Sequence, residues 1–214
     1  MKALWVDEGN DPDWVKVAAH QMTSLFFALR DPRIDKPYLR NVIGRSYRPG
    51  VYAVSNWPEF SGDGLTFAQK VVAKVKPLMV NPSNPKVQLD IEEHDPDKIL
   101  DALTEFRAEL PKQDLSWTME SFQGGWMTPE FVAGVIRLRV RVVPQLYKGK
   151  MADLDEPDPE IRLQALLDEQ VAQDMALKDL LKAGFPYELV TGFYDAATLP
   201  FWWDGFAFTM GRLP

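Results

Sequence analysis

The chain has 214 residues, is 46% hydrophobic and carries a formal net charge of −7. This acidic balance argues against a nucleic-acid partner, because phosphate binding requires clustered lysine and arginine. The absence of cysteine excludes disulfides, thiolate catalysis and cysteine-ligated zinc. No apolar run is long enough to cross a membrane, and the first residues lack the apolar core of a signal peptide. We therefore expect a soluble product without membrane insertion, which would reach the cell exterior only by lysis or on a particle.

Short β-branched or aromatic runs alternate with helical stretches along the chain. The predicted strands cover residues 3–7, 25–30, 51–55, 87–92, 115–120, 141–147, 188–194 and 206–210. The predicted helices cover residues 12–22, 36–45, 64–76, 96–110, 128–138 and 160–183. This alternation is typical of parallel strands joined by right-handed crossovers. It predicts an α/β fold, with residues 1–214 forming a single small (β/α)8 barrel of the TIM type.

A doubly wound open sheet is the alternative fold, although no glycine-rich phosphate loop follows the first strand. Helix boundaries are marked by Asp-Pro pairs at 95–96 and 158–159, with aspartate as N-cap and proline in the first turn. Gly184, followed by Pro186, predicts the end of the last long helix.

The strand at 87–92 has a strict alternation. Val87, Leu89 and Ile91 fall on one face, and the polar residues Gln88, Asp90 and Glu92 fall on the other. In a barrel, the apolar face meets the helices, and the inner face becomes polar near the carboxyl end, where barrel enzymes keep their chemistry. The pattern therefore predicts two acids opening into the barrel.

The same alternation predicts inward side chains at the carboxyl ends of four other strands: Asp7, Arg30, Glu120, Gln145 and Tyr147. Several polar groups converging on one rim predict a functional site. A strand-end acid is also a common N-cap of the following helix, and this explanation suits Asp7 and Glu120 equally well when each is taken alone.

Neighbouring carboxylates tend to separate their pKa values, so that one stays protonated near neutral pH while the other is ionised. Cleavage of a glycosidic bond needs this division, with an acid for the leaving oxygen and an anion for the oxocarbenium-like transition state. We predict Glu92 as the acid, with Asp90, Asp7 or both supplying negative charge. Aromatic residues at loop positions are candidate stacking platforms for sugars: Trp57, Phe60, Trp126, Trp202 and Trp203.

The first half of the chain resembles the family 25 glycoside hydrolases, the N-acetylmuramidase lysozymes. The matching pieces are Asp7, Asp13-Trp14-Val15-Lys16-Val17 leading to Phe26-Phe27-Ala28-Leu29-Arg30, Gly50-Val51-Tyr52, and Leu89-Asp90-Ile91-Glu92. The resemblance implies that Asp7, Asp90 and Glu92 form the catalytic group. The chain departs from the family after Asp7, where Glu8-Gly9-Asn10 replaces the usual serine and aromatic run.

A second resemblance is to the family 18 chitinases. Gln88-Leu89-Asp90-Ile91-Glu92 is similar to the end of their strand-4 motif, and Gln145-Leu146-Tyr147 to a strand-6 motif. It implies that Glu92 is the acid, that Asp90 orients the substrate's acetamido group, and that Tyr147 hydrogen-bonds this group. Gln88 stands where that family has an aspartate. Both resemblances imply an N-acetylated glycan, either peptidoglycan or chitin-like. The predicted substrate-binding residues are Tyr147, Gln145, Glu120, Arg30, Gln88 and Trp126.

Two other functions remain open. A metal-dependent barrel enzyme would use Asp7, Asp90, Glu92 and Glu120 as oxygen ligands for Mg²⁺ or Ca²⁺. Zinc is not expected, because His20 and His94 are the only histidines. A catalytically silent barrel would bind glycan or serve as a structural part of a phage tail or surface assembly. For the favoured glycosidase we expect no cofactor and no metal.

Overall fold

The computed structural model describes residues 3–6, 8–12, 14–19, 22–79, 84–91, 95–119, 126–144, 158, 160–161 and 178–189. Within these residues the strands are β1 (Ala3–Val6), β2 (Ser24–Ala28), β3 (Arg48–Val54), β4 (Lys86–Asp90), β5 (Leu115–Met119) and β6 (Arg141–Pro144). The helices are α1 (Trp14–Ala19), α2 (Lys36–Gly44), α3 (Gly64–Val75), α4 (Pro96–Glu109) and α5 (Pro129–Arg137). Short 3₁₀ turns cover Lys76–Leu78 and Tyr187–Leu189.

The six described strands form one sheet in the order β1-β2-β3-β4-β5-β6, and every neighbouring pair is parallel. A doubly wound sheet reverses its strand order partway, so that alternative is wrong. The unbroken order, with a helix after each of the first five strands, is that of a (β/α) barrel and confirms the predicted α/β class. The predicted strand at 206–210 lies outside the described residues. The described start of the predicted strand at 188–194 is part of a 3₁₀ turn instead.

Four helices begin at side-chain caps. An oxygen of each cap accepts a hydrogen bond from a backbone N–H in the first turn, and the caps are Asp35, Asp63, Asp95 and Thr128. The Asp-Pro start predicted at 95–96 is therefore confirmed. Gly184 has a φ of 105° and ends a helical stretch at 178–183, as predicted. Because each cap follows a strand, the helix N-termini lie at the carboxyl-end rim of the sheet.

The sheet separates two apolar layers. The outer layer packs against the helices and includes Val87, Leu89 and Ile91, each at most 1% exposed. The inner layer is smaller and consists of Trp5, Phe26, Ala28, Tyr52, Val54 and Val143. Trp117 and Val142 belong to the outer layer. The alternation predicted for β4 is therefore confirmed, and the described side chains of β2, β5 and β6 alternate between the two layers in the same way.

Gly50 makes room for an inner-layer ring. A Cβ atom at this position would lie 2.5 Å from the Phe26 ring, so only glycine lets Phe26 fold across β3. The prediction started this strand at residue 51, whereas in the structure the strand begins at Arg48 and includes Gly50. The close approach of a ring explains why glycine lies within the strand.

Charged groups gather at the opposite, amino end of the strands. Asp114, just before β5, lies 3.1 Å from Arg141 and 3.7 Å from Lys86. Burial lowers the pKa of Lys86, and the Asp114 carboxylate acts in the opposite direction. This ion cluster lies at the amino end of the inner layer, away from the rim where the site is predicted.

Candidate functional site

Asp90 is the last residue of β4 and lies on the inner side of the sheet. Its register partners are Val54 of β3 and Thr118 of β5, and its side chain is almost completely buried, with the residue 3% exposed. Its backbone oxygen accepts a hydrogen bond from the Ser55 N–H at 2.8 Å. The predicted inner position of Asp90 is confirmed. Its predicted catalytic role stays a prediction.

Gln88 lies two residues below Asp90 and is part of an interior network. Its Oε1 accepts a hydrogen bond of 2.7 Å from Trp5 Nε1. The Trp5 ring in turn stacks on Tyr52, with ring centroids 4.3 Å apart and an interplanar angle of 6°. Gln88 is only 2% exposed. Its side-chain oxygen therefore holds two strands together, and its predicted substrate contact gains no support from this position.

Thr118 is the register partner of Asp90 on β5, and the sequence analysis assigned it no role. The residue is fully buried, and its hydroxyl has no hydrogen-bond partner among the described residues. A buried hydroxyl without a partner is costly and needs an explanation. Its place beside a buried carboxyl group makes Thr118 a candidate member of the site.

Arg30 lies just past the end of β2, at the rim above the inner layer. Its Nε is 2.7 Å from Glu8 Oε2, and its guanidinium carbon is 4.2 Å from the centre of the Trp57 ring. Trp57 also contacts Tyr52, with centroids 5.4 Å apart. The predicted inward orientation of Arg30 stays a prediction, because Trp57 packs against both the outer and the inner layer. Trp57 is half-buried and the guanidinium covers one of its faces, so that face is not open to a sugar; its predicted stacking role stays a prediction.

Asp31 ties together the loops that follow β1 and β2. Its carboxylate accepts hydrogen bonds from the Gly9 N–H at 3.1 Å, from the Arg33 N–H at 2.9 Å and from Arg33 Nη2 at 2.7 Å. Arg33 Nη2 also donates to the Asn10 carbonyl at 3.0 Å. The hydrogen bonds from Arg33 lower the pKa of Asp31 to about 2, against burial, which acts in the opposite direction. This contact, which sequence reasoning missed, fixes the loop that carries Glu8.

The Asp31→Asn variant should show a stability loss that depends on pH. The folded-state pKa of Asp31 lies below its ordinary value of 3.8, so the carboxylate stabilises the fold above about pH 4, and this contribution disappears as the pH falls towards 2. Since Arg33 is 39% exposed and screened by solvent, we expect a loss of about 1–2 kcal/mol at neutral pH. Urea unfolding at a series of pH values measures the difference.

An Arg33→Gln variant breaks the same contact from the other side. The double variant should therefore lose little more stability than Asp31→Asn alone, because neighbouring substitutions that share one interaction are not additive. A difference between wild type and Asp31→Asn that stays constant from pH 7 to pH 2 would contradict this assignment.

Two of the predicted stacking aromatics belong to the outer layer. Trp126 packs against Trp117, with centroids 6.2 Å apart, and against Phe131 at 5.4 Å. Phe60 is 1% exposed and contacts Phe67 at 6.4 Å. Both rings thus pack between the sheet and the helices. The predicted substrate contact of Trp126 gains no support from its place on the helix side.

Several predicted site residues lie outside the described residues: Asp7, Glu92, Glu120, Gln145, Tyr147, Trp202 and Trp203, together with both histidines. Their roles stay predictions. Among the residues that the structure describes, no group of three or more acids or histidines is placed to hold a metal ion. No helix within the described ranges combines the length and the apolar character needed to cross a membrane.

Comparison with known proteins gives little beyond this geometry. No family model matches the chain, and no curated protein matches it. One matching solved structure is a mutant of Xylanase10C from Cellvibrio japonicus in complex with xylopentaose, with a TM-score of 0.43 and 7% sequence identity. The match covers 96% of this chain and 61% of that chain. So weak a likeness decides neither fold nor function, and the barrel assignment rests on strand order and register. Both family resemblances stay predictions.

Proposed function

We propose that this protein is a glycoside hydrolase-like barrel that acts on an N-acetylated glycan, either peptidoglycan or a chitin-like polymer. The observation that carries the proposal is the buried carboxyl group of Asp90, on the inner side of β4 at its carboxyl end. Barrel enzymes build their active sites at this end of the strands. An acid in this position is costly for stability, and catalysis is a physical reason to keep it there.

In the proposed reaction, Glu92 protonates the leaving glycosidic oxygen as its bond to the anomeric carbon breaks. Water supplies the new bond to that carbon, and the proton it releases restores the acid form of Glu92 for the next turnover. Asp90 and Asp7 supply negative charge for the oxocarbenium-like transition state. The rings of Trp5 and Tyr52 fill the interior below Asp90, so the carboxylate acts in surroundings of low polarity. Electrostatic stabilisation is stronger in such surroundings than in water.

A barrel that binds glycan without turnover, as part of a phage tail or a surface assembly, is the second candidate. The observation that favours it is the tight packing around the predicted site: Asp90 and Gln88 are 3% and 2% exposed, and Gln88 is engaged by Trp5. A metal-dependent enzyme would use the same carboxylates with Mg²⁺ or Ca²⁺.

One experiment separates these proposals. The purified protein is incubated with peptidoglycan and with chitin oligosaccharides, product release is followed by mass spectrometry, and affinity is measured separately by calorimetry. Product release that survives EDTA supports the glycosidase, and release that EDTA abolishes supports the metal-dependent enzyme. Binding without release supports the silent barrel. A protein that neither binds nor cleaves these glycans would contradict the proposed function.

A further inference from the structure

A stacked arginine lies at the rim beside the proposed site. The Arg30 side chain is 34% exposed, and the central carbon of its guanidinium lies over Trp57, 4.2 Å from the ring centre. Trp57 is itself fixed by contacts with Tyr52 and Phe60, at 5.4 Å and 6.2 Å between centroids. The indole therefore holds the guanidinium in place before any ligand arrives.

Among the residues that the structure describes, the terminal nitrogens of Arg30 meet no hydrogen-bond acceptor. Its ion pair with Glu8 runs through Nε, and no described residue accepts a hydrogen bond from Nη1 or Nη2. Arg33, three residues later, is by contrast committed to Asp31 through its side chain and its backbone N–H. Of these two rim arginines, Arg30 is the one whose terminal donors are not engaged by any described residue.

A planar guanidinium with free donors matches the geometry of a carboxylate, to which it can donate two parallel hydrogen bonds. The predicted site around it is acidic, with Asp7, Asp90 and Glu92, and the whole chain carries a net charge of −7. An acidic sugar approaching this rim would be repelled unless a cation met its carboxylate. A neutral sugar needs no such partner.

Glu8 is an internal competitor for the same cation. Its side chain is 42% exposed, so it can leave Arg30 for water at little cost, and surface ion pairs of this kind are worth at most about 1 kcal/mol. The neighbouring Gly9 N–H is bound to Asp31, which keeps Glu8 within reach of Arg30. A ligand carboxylate would therefore bind the Arg30 guanidinium by displacing the Glu8 carboxylate from it.

We propose that Arg30 binds a carboxylate of the glycan, in exchange for Glu8, and thereby makes the protein prefer acidic over neutral N-acetylated sugars. The inference rests on the proposed function and narrows its substrate class. The carboxylate has two chemical sources, a lactyl ether such as that of muramic acid or the ring carboxylate of a uronic acid.

The test compares three oligosaccharides of similar length by calorimetry at constant ionic strength. They are a chitin oligosaccharide, which is neutral, a muramic acid-containing glycan strand freed of its peptides, and a hyaluronan oligosaccharide. Wild-type protein should bind at least one acidic glycan more tightly than chitin, and the glycan that it prefers identifies the source. Arg30→Gln should weaken that binding roughly 10- to 100-fold, a clearly larger loss than the same variant shows for neutral chitin.

Glu8→Gln is the matched control and should act in the opposite direction. Removing the competitor should strengthen binding of the preferred acidic glycan roughly 2- to 5-fold. A purely structural ion pair would instead make both variants weaker. Equal affinity of the wild type for all three glycans, or equal losses in both variants, would overturn the role of Arg30 and leave the proposed function standing. A wild type that binds none of the glycans would overturn both.

Discussion

The Glu92→Gln protein is expected to release glycan products roughly 10²- to 10⁴-fold more slowly than the wild type. Glutamine keeps the size and polarity of the side chain but has no acidic proton to give to the leaving oxygen. Glycan affinity should stay close to that of the wild type, because the substitution removes the proton donor and little of the contact surface. Initial rates of product release, measured beside calorimetric affinities, separate the two effects.

Glu109→Gln is the matched control for this variant. Glu109 ends α4 just before the amino end of β5, is 44% exposed, and pairs with Lys76 at 2.6 Å. The same chemical change at the opposite end of the strands should leave the rate unaltered. Wild-type rates in Glu92→Gln would eliminate it as the general acid, and unchanged binding without any wild-type turnover would favour the silent barrel.

Side-chain alternation carried most of the fold prediction. The β4 run could be read correctly because Val87, Leu89 and Ile91 must all face one side of any extended strand, and all three are buried in the outer layer. Helix starts were equally local, since the cap at Asp95 depends on residues within one turn. Features set by neighbouring residues were thus available from the sequence.

The sequence could not show which polar and aromatic side chains are already engaged by residues of distant strands and loops. The sequence predicted that the Gln88 side chain faces the barrel interior and binds substrate. In the structure its side-chain oxygen instead accepts a hydrogen bond from Trp5, which is 83 residues away in the chain. Trp57 was predicted to stack on sugars, and the sequence did not reveal that the Arg30 guanidinium covers one face of its ring. A ring on a loop gives the same sequence signal whether it faces a ligand, as predicted for Trp126, or packs in the outer layer.

The hydrogen bonds that Asp31 accepts from Arg33 and Gly9 could be predicted from the sequence only in part. An aspartate two residues before Arg33, directly after a strand, is a local signal for a turn closed by an ion pair. Its hydrogen bond to the Gly9 N–H crosses from β2 to the loop after β1, and only the strand pairing brings these loops together. The contact between Asp31 and the loop after β1 therefore depends on the fold and could not be predicted from the local sequence.

The second large effect is expected in the packing of the barrel's outer helices. Gly64, the first residue of α3, lies against α4, where an added Cβ atom would collide with the backbone oxygen of Lys98 and lie 3.1 Å from the backbone nitrogen of Ala102. Backbone atoms cannot rotate away as a side chain can, so the two helices would have to separate. We expect Gly64→Ala to lower the free energy of unfolding by about 3 kcal/mol or more, as measured by urea denaturation.

Gly44→Ala supplies the comparison, because it makes the same change at the end of another helix. Gly44 ends α2, and a Cβ atom there would meet nothing within 4 Å. Alanine restricts the unfolded chain more than glycine does, so this variant should gain about 0.4–1 kcal/mol. Opposite signs for the two variants would show that contact between the helices, and not helix propensity, fixes glycine at residue 64. A Gly64→Ala protein as stable as the wild type would mean that α3 and α4 do not pack this closely.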